Sequence, residues 1–261
     1  MNARGSSFFA DIPPIVKNLI VINLLFWLGG ISLVRFFPEF DVNDVFGMHY
    51  WAAEKFNVAQ LVTYMFMHAS FMHVFMNMFG LFMFGRILEQ LWGPKRFLIF
   101  YFVTGIGAGI VQQLFWTVEY NSLIQAMNQS ISSNSGQALI PFEEILGRYL
   151  QFGNLELATA IDIIEMKRLF VNGLLTVGAS GAIFGLLLAF GMIFPNQPMY
   201  IMFIPVPIKA KYIVIGYAVF ELFNGVSNFS FDSIAHFAHL GGMLFGFFLI
   251  QYWRKNQFRQ H

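Results

Sequence analysis

The segment "FVNGLLTVGASGAIFGLLLAFGMIF", residues 170–194, runs for 25 residues without a charged side chain. At about 1.5 Å per residue, a helix of that length exceeds the roughly 30 Å hydrocarbon core of a bilayer, so the stretch predicts a membrane span. Inside it, Ser180 stands between Gly178 and Gly181, with Gly185 four residues beyond. Small residues let helices approach closely, which is one reason to place them there. A serine between glycines is also sterically open to attack a substrate. The surrounding sequence has to choose between packing and chemistry.

Composition sets the class. The chain has 261 residues, 57% hydrophobic and 11% charged, with 34 phenylalanines and a mean hydropathy of +0.62. Soluble domains carry about 25% charged residues, so this chain lacks the polar side chains to cover a water-facing surface. The expected fold class is an all-α polytopic membrane protein. A net charge of +1 gives no reason to expect nucleic acid as a partner; the lipid bilayer is the partner implied. The absence of cysteine excludes disulfides, thiolate metal sites and a cysteine nucleophile.

Six apolar stretches read as spans: about 15–34, 69–92, 95–116, 170–194, 209–226 and 232–253. Ten of the fifteen lysines and arginines fall on one side of this plan, among them Arg4, Lys17, Arg86, Lys95, Lys209 and Arg254. Arg35, Lys55, Arg148, Lys167 and Arg168 fall on the other. The excess of positive residues puts both termini in the cytoplasm. Residues 1–14 are then a short N-terminus, 15–253 the membrane domain and 254–261 a C-terminal tail. The first apolar run lacks a small-residue cleavage site and is expected to stay as an anchor. Short termini without a transit peptide point to a prokaryotic inner membrane. The sequons at Asn128 and Asn228 would matter only in a eukaryotic secretory membrane.

Two extramembrane segments are long. Residues 35–68, with "GMHYWAAEKF", read as an interfacial loop dipping into the headgroups. Residues 117–169 begin polar and then give "PFEEILGRYLQFG", with Phe142, Ile145, Leu146, Tyr149 and Leu150 on one helical face. Pro141 can start that helix and Gly153 can stop it. It is expected to lie on the bundle or on the bilayer surface.

Polar groups in spans are costly and usually face the interior. His73 and Asn77 are i, i+4 in span two and share a face. Span six carries His236 and His239, and His239 shares its face with Gly242 and Gly246. Glycine faces on spans four and six would let Ser180 and His239 meet. Ser180 lies fifteen residues from Pro195 and His239 fifteen from Arg254, so both sit roughly 22 Å above the inner boundary. A serine beside an imidazole suits acyl transfer, with Asn77, His73 and the Ser180 backbone N–H as donors to an oxyanion. No acidic residue in these spans reads as close enough to be a third member. The expectation is a dyad whose imidazole is oriented by packing.

These residues together resemble the rhomboid family of intramembrane serine proteases. Four motifs occur in order: "HVFMN" (His73, Asn77), "GRILEQLWG" (Gly85, Glu89, Gly93), "GASG" and "AHLGGMLFG". The resemblance implies a six-helix rhomboid-like bundle, with Ser180 as nucleophile and His239 as general base. Asn77 and His73 would serve the oxyanion hole, and Glu89 would be a structural residue near the cytoplasmic side. It further implies single-pass transmembrane proteins as substrates and no cofactor, metal or ATP. Two positions depart from the family pattern. Trp51 is followed by Ala52 where a Trp-Arg pair is common, and Phe184 replaces a frequent tyrosine but can still stack on His239.

Three other readings compete with this one. A catalytically inactive relative that binds transmembrane helices would have lost the serine or the histidine. A metalloenzyme would use His68, His73, His236 and His239, but no H-E-x-x-H occurs and no nearby carboxylate is evident. A transporter would need inverted halves with paired broken helices, and none is visible.

Overall fold

The computed structural model describes residues 12–200, 206–227 and 235–257. Residues 1–11 and 258–261, which include Arg4 and Arg259, lie outside the described residues, as do Asn228 and the first residues assigned to span six. Helix α1 (Pro14–Phe36) starts at a proline, whose missing N–H is no loss in a first turn. A short helix α2 (Val42–Phe46), strand β1 (Met48–His49) and helix α3 (Gln60–Thr63) follow. Helices α4 (Phe71–Gly80) and α5 (Arg86–Trp92) join through a π-helical turn, Leu81–Gly85, into one rod. Then come α6 (Pro94–Glu119), α7 (Asn121–Ser133), α8 (Glu143–Gly147) and α9 (Ala160–Gly173). Strand β2 (Leu175–Thr176) precedes α10 (Ser180–Ile193). Strands β3 (Pro198–Met199) and β4 (Ile208–Lys209) pair antiparallel ahead of α11 (Ala210–Ser227) and α12 (His236–Gln257).

Among the described residues, three helices are long and apolar enough to cross a membrane: Pro14–Phe36, Phe71–Trp92 and Pro94–Glu119. Helix α10 is a shorter apolar one. This corrects the reading of span four, which does not begin as helix at residue 170. Helix α9 ends at Gly173, and residues 174–179 are non-helical, with Leu175 and Thr176 paired antiparallel to His49 and Met48. Gly178 has φ +123°, a backbone conformation open to glycine and strained for other residues. The helix therefore starts afresh at Ser180, inside the protein.

Close helix contact follows from small residues. A side chain at Gly242 would strike the backbone carbonyl of Gly181, and Gly246 lies against Gly185. The glycine faces expected on α10 and α12 do face each other. Helix α6 completes the trio, with Ala108 against Gly181 and Thr104 against Gly185. Leu81, Phe97, Phe100, Tyr101 and Leu186 fill the core around these crossings.

At the far end of the bundle from Ser180, Glu89 is buried and bonds the first turn of α1. Its Oε1 accepts from Ile15 N at 3.0 Å and its Oε2 from Val16 N at 2.8 Å. First-turn N–H groups have no partner within their own helix, and the helix dipole favours a carboxylate there. The structural part expected of Glu89 has this physical content.

The two long connections fold together over the Ser180 end, around a second core of Tyr50, Trp116, Leu123, Met127, Leu146 and Phe170. The apolar face at 142–150 packs into that core rather than onto lipid. The helix itself is shorter than its pattern, spanning only Glu143–Gly147 after a 3₁₀ stretch that contains Pro141. Residues 35–68 are likewise built into the protein. His49 Nδ1 meets Asn172 O at 2.8 Å, Trp51 N donates to Gln113 Oε1 at 2.9 Å, and Gln113 Nε2 donates to His49 O at 2.6 Å. Tyr50 is buried against Trp116, while Trp51 stays exposed.

Candidate active site

Ser180 is the first residue of α10, with Ala179 ahead of it and no side-chain cap. The opening N–H groups of a helix lack intrahelical acceptors and carry partial positive charge. The hydroxyl thus sits where backbone donors converge. The extended approach is held in place by Gly178 N, which donates to Tyr64 O at 2.8 Å, and Tyr64 in turn donates its hydroxyl to Gly105 O at 2.6 Å.

Facing it from α12, His239 presents Nε2 to Ser180 Oγ at 2.7 Å. One face of the ring is covered: Phe184, one turn beyond Ser180, stacks on it at 4.2 Å between centroids and 6° between planes. That is the stack expected from the phenylalanine at this position. Tyr217 on α11 meets the edge of Phe184 at 6.0 Å.

Helix α4 supplies the opposite wall. His73 and Asn77 flank Gly178 so closely that a β-carbon there would lie 2.6 Å from His73 Nε2 and 3.6 Å from Asn77 Nδ2. Asn77 is buried and its Nδ2 has no hydrogen-bond partner. A buried amide donor without an acceptor is costly unless an acceptor arrives. The four residues singled out from the sequence (Ser180, His239, Asn77 and His73) therefore gather around one loop. Ser180 and His73 keep partial exposure, and Asn77 and His239 are buried.

One group was missed. Glu221 on α11 is buried, and its Oε2 touches both histidines of α12, His236 Nδ1 at 2.5 Å and His239 Nδ1 at 3.0 Å. This corrects two expectations, that no acid stands near the imidazole and that no carboxylate neighbours the histidines. A signal was present: Glu221 is the single acidic residue in α11, and an ionisable side chain in an apolar helix points to function by default. The grouping of four histidines considered for a metal does not form. Glu221, His236 and His239 lie together, whereas His68 and His73 pair with each other at 5.0 Å between ring centroids. His68 also borders a cavity of about 290 Å³ between α1 and the 41–43 and 66–69 segments, and none of the four gathered residues lines it.

A helical membrane protein with a serine–imidazole contact at an internal helix start is the class this geometry defines. Comparison with known families matches a Rhomboid domain over residues 55–127 and 138–256. The chain belongs to the rhomboid family. It is similar to RHOMBOID-like protein 6, mitochondrial, of Arabidopsis thaliana, at 41% identity over 56 residues. That match spans 22% of this chain and 18% of the relative. The expectation of a prokaryotic inner membrane finds no counterpart in this mitochondrial relative.

Proposed function

We propose that this membrane protein is an intramembrane serine endopeptidase, crossing the bilayer six times with both termini in the cytoplasm. It would cleave single-pass transmembrane proteins near the ends of their helices. The observation that carries the reading is the 2.7 Å contact between Ser180 Oγ and His239 Nε2. In this reading Nε2 takes the hydroxyl proton as Oγ attacks the scissile carbonyl carbon. The carbonyl oxygen becomes an oxyanion, which accepts hydrogen bonds from Asn77 Nδ2, the His73 ring and the Ser180 backbone N–H. When the tetrahedral intermediate collapses, the C–N bond breaks and the protonated Nε2 gives its proton to the leaving amine. Water then attacks the acyl-serine, with His239 again as base, and releases the free acid.

No step draws on a cofactor. A transmembrane substrate has its scissile carbonyl tied into its own helix, so local unwinding must precede attack. Substrates with helix-weakening residues at the cut site are expected to be cleaved faster than helix-stabilised ones, and equal rates would contradict this.

The test uses purified protein in detergent with a labelled single-span substrate, as wild type, Ser180→Ala and His239→Ala, with and without EDTA. The expected result is cleavage lost in both variants and indifferent to the chelator. Cleavage persisting in Ser180→Ala overturns the reading. A wild-type protein that is folded, inert toward substrate and unlabelled by fluorophosphonate probes would instead be an inactive relative that only binds helices.

A further inference from the structure

We infer that Glu221 is the positioning residue for the general base, holding His239 in the tautomer that leaves Nε2 free to accept the Ser180 proton. The inference rests on the reading of Ser180 and His239 as nucleophile and base. Neutral imidazole carries its proton on one nitrogen only, and the group opposite decides which. Here Oε2 of a buried carboxylate stands 3.0 Å from His239 Nδ1, on the ring edge away from Ser180. A carboxylate can only accept, so the proton on Nδ1 is the one it selects. Nε2 is then an unprotonated acceptor, as proton abstraction requires.

The same oxygen also receives His236 Nδ1 at 2.5 Å, so one acid aligns two histidines of α12. Separations of 2.5 and 3.0 Å suit protons held between nitrogen and oxygen. Ligands of a tetrahedral zinc ion stand roughly 3.3 Å apart, given bonds of about 2.0–2.1 Å. The His236 contact is the well-aligned one. The His239 contact, at 3.0 Å, falls short of hydrogen-bond geometry in this structure; catalytic contacts often tighten only once substrate closes the site. During attack His239 becomes imidazolium, and the fixed negative charge beside it stabilises that state, as a triad carboxylate does. The carboxylate takes up no proton in the cycle. Among the described residues, the ionisable and polar groups around the ring are Ser180 from α10, Glu221 from α11, His236 on α12 and, across Gly178, His73 from α4.

The experiment compares the full chain in detergent as wild type, Glu221→Gln and Glu221→Asp, with Ser180→Ala as the inactive reference. Glu221→Gln is expected to lower kcat roughly 10²-fold with KM held within about threefold. The acid limb of its kcat profile should move to lower pH, because the imidazolium loses its counter-charge. Glu221→Asp should restore part of the rate. A glutamine variant with wild-type kcat and an unmoved acid limb overturns the inference. So does one with a lowered melting temperature and an unmoved limb, which marks a packing role.

If the glutamine variant does not fold, the wild-type protein still decides. A downfield imidazole N–H proton resonance that vanishes in His239→Ala supports the inference, and its absence overturns it. Loss of wild-type activity on adding EDTA also overturns it, since the carboxylate would then serve a metal. Cleavage by Ser180→Ala would remove the nucleophile reading itself. An inactive Ser180→Ala beside an unaffected Glu221→Gln removes the carboxylate alone.

Discussion

At Gly178 the backbone has φ +123°, and His73 Nε2 stands 2.6 Å from where a β-carbon would be. Both facts forbid a side chain. Alanine would have to shift the loop, and with it the first N–H groups of α10, away from Asn77 and His73. Gly178→Ala is expected to cost about 1–3 kcal/mol of stability and to reduce kcat more than KM. Thermal melting and steady-state kinetics in the same detergent check both. Asn77 offers a separate test of the same corner, because its Nδ2 is buried without a partner. If that donor waits for an oxyanion, Asn77→Ala should lower kcat by about 10²–10³-fold with little change in KM. It should not destabilise the fold, since no intramolecular bond of Nδ2 is lost. A variant that melts lower but turns over normally would make Asn77 a packing residue.

Among the elements, α10 shows what the sequence could and could not reveal. Its apolar content was plain, and so was the glycine face that meets α12 at Gly242 and Gly246. Its start was not, because an apolar run reads alike as buried helix or as buried extended chain. What breaks the helix is tertiary: Leu175 and Thr176 pair with residues 48–49, more than a hundred positions earlier. Glu221 escaped for a related reason. Its partners His236 and His239 lie 15 and 18 residues away on another helix, so no local spacing pointed to them. Glu89 was legible through its motif alone, and its role became physical only with the first turn of α1 seated on it. Glu89→Gln keeps one acceptor but loses the charge and the second carboxylate oxygen from the α1 first turn. The expected cost is about 1–3 kcal/mol, read as a fall of roughly 2–12 °C in melting temperature. With Glu89 at the far end from Ser180, the folded fraction should keep the wild-type KM for the proposed cleavage; a changed KM with unchanged melting would refute a purely structural role.

For the whole molecule, two cores share one helix. Helix α6 packs in the bundle through Phe97, Phe100, Tyr101 and Ala108, then runs on to carry Trp116 into the second core. Between them sits Gln113, 1% exposed, which accepts from Trp51 N and donates to His49 O. The loop that the family commonly fixes with a Trp-Arg pair is here clasped by backbone pairing and by this amide. From His49 the clasp passes through β1 to β2 and so to the approach of Ser180. Gln113→Leu preserves volume but leaves the buried His49 carbonyl unpaired, costing about 1–3 kcal/mol, and removes the partner of the part-buried Trp51 N–H. The second core should loosen first, because its hold on residues 48–51 is cut while the glycine crossings of α6, α10 and α12 are untouched. Hydrogen exchange should therefore rise in residues 48–51 and 174–177 before it rises in α6 or α12. Cleavage should weaken in step with that local opening, through the serine's approach strand. Faster exchange confined to the 121–133 and 160–173 helices, with full activity, would show that the cap is independent of the site it covers.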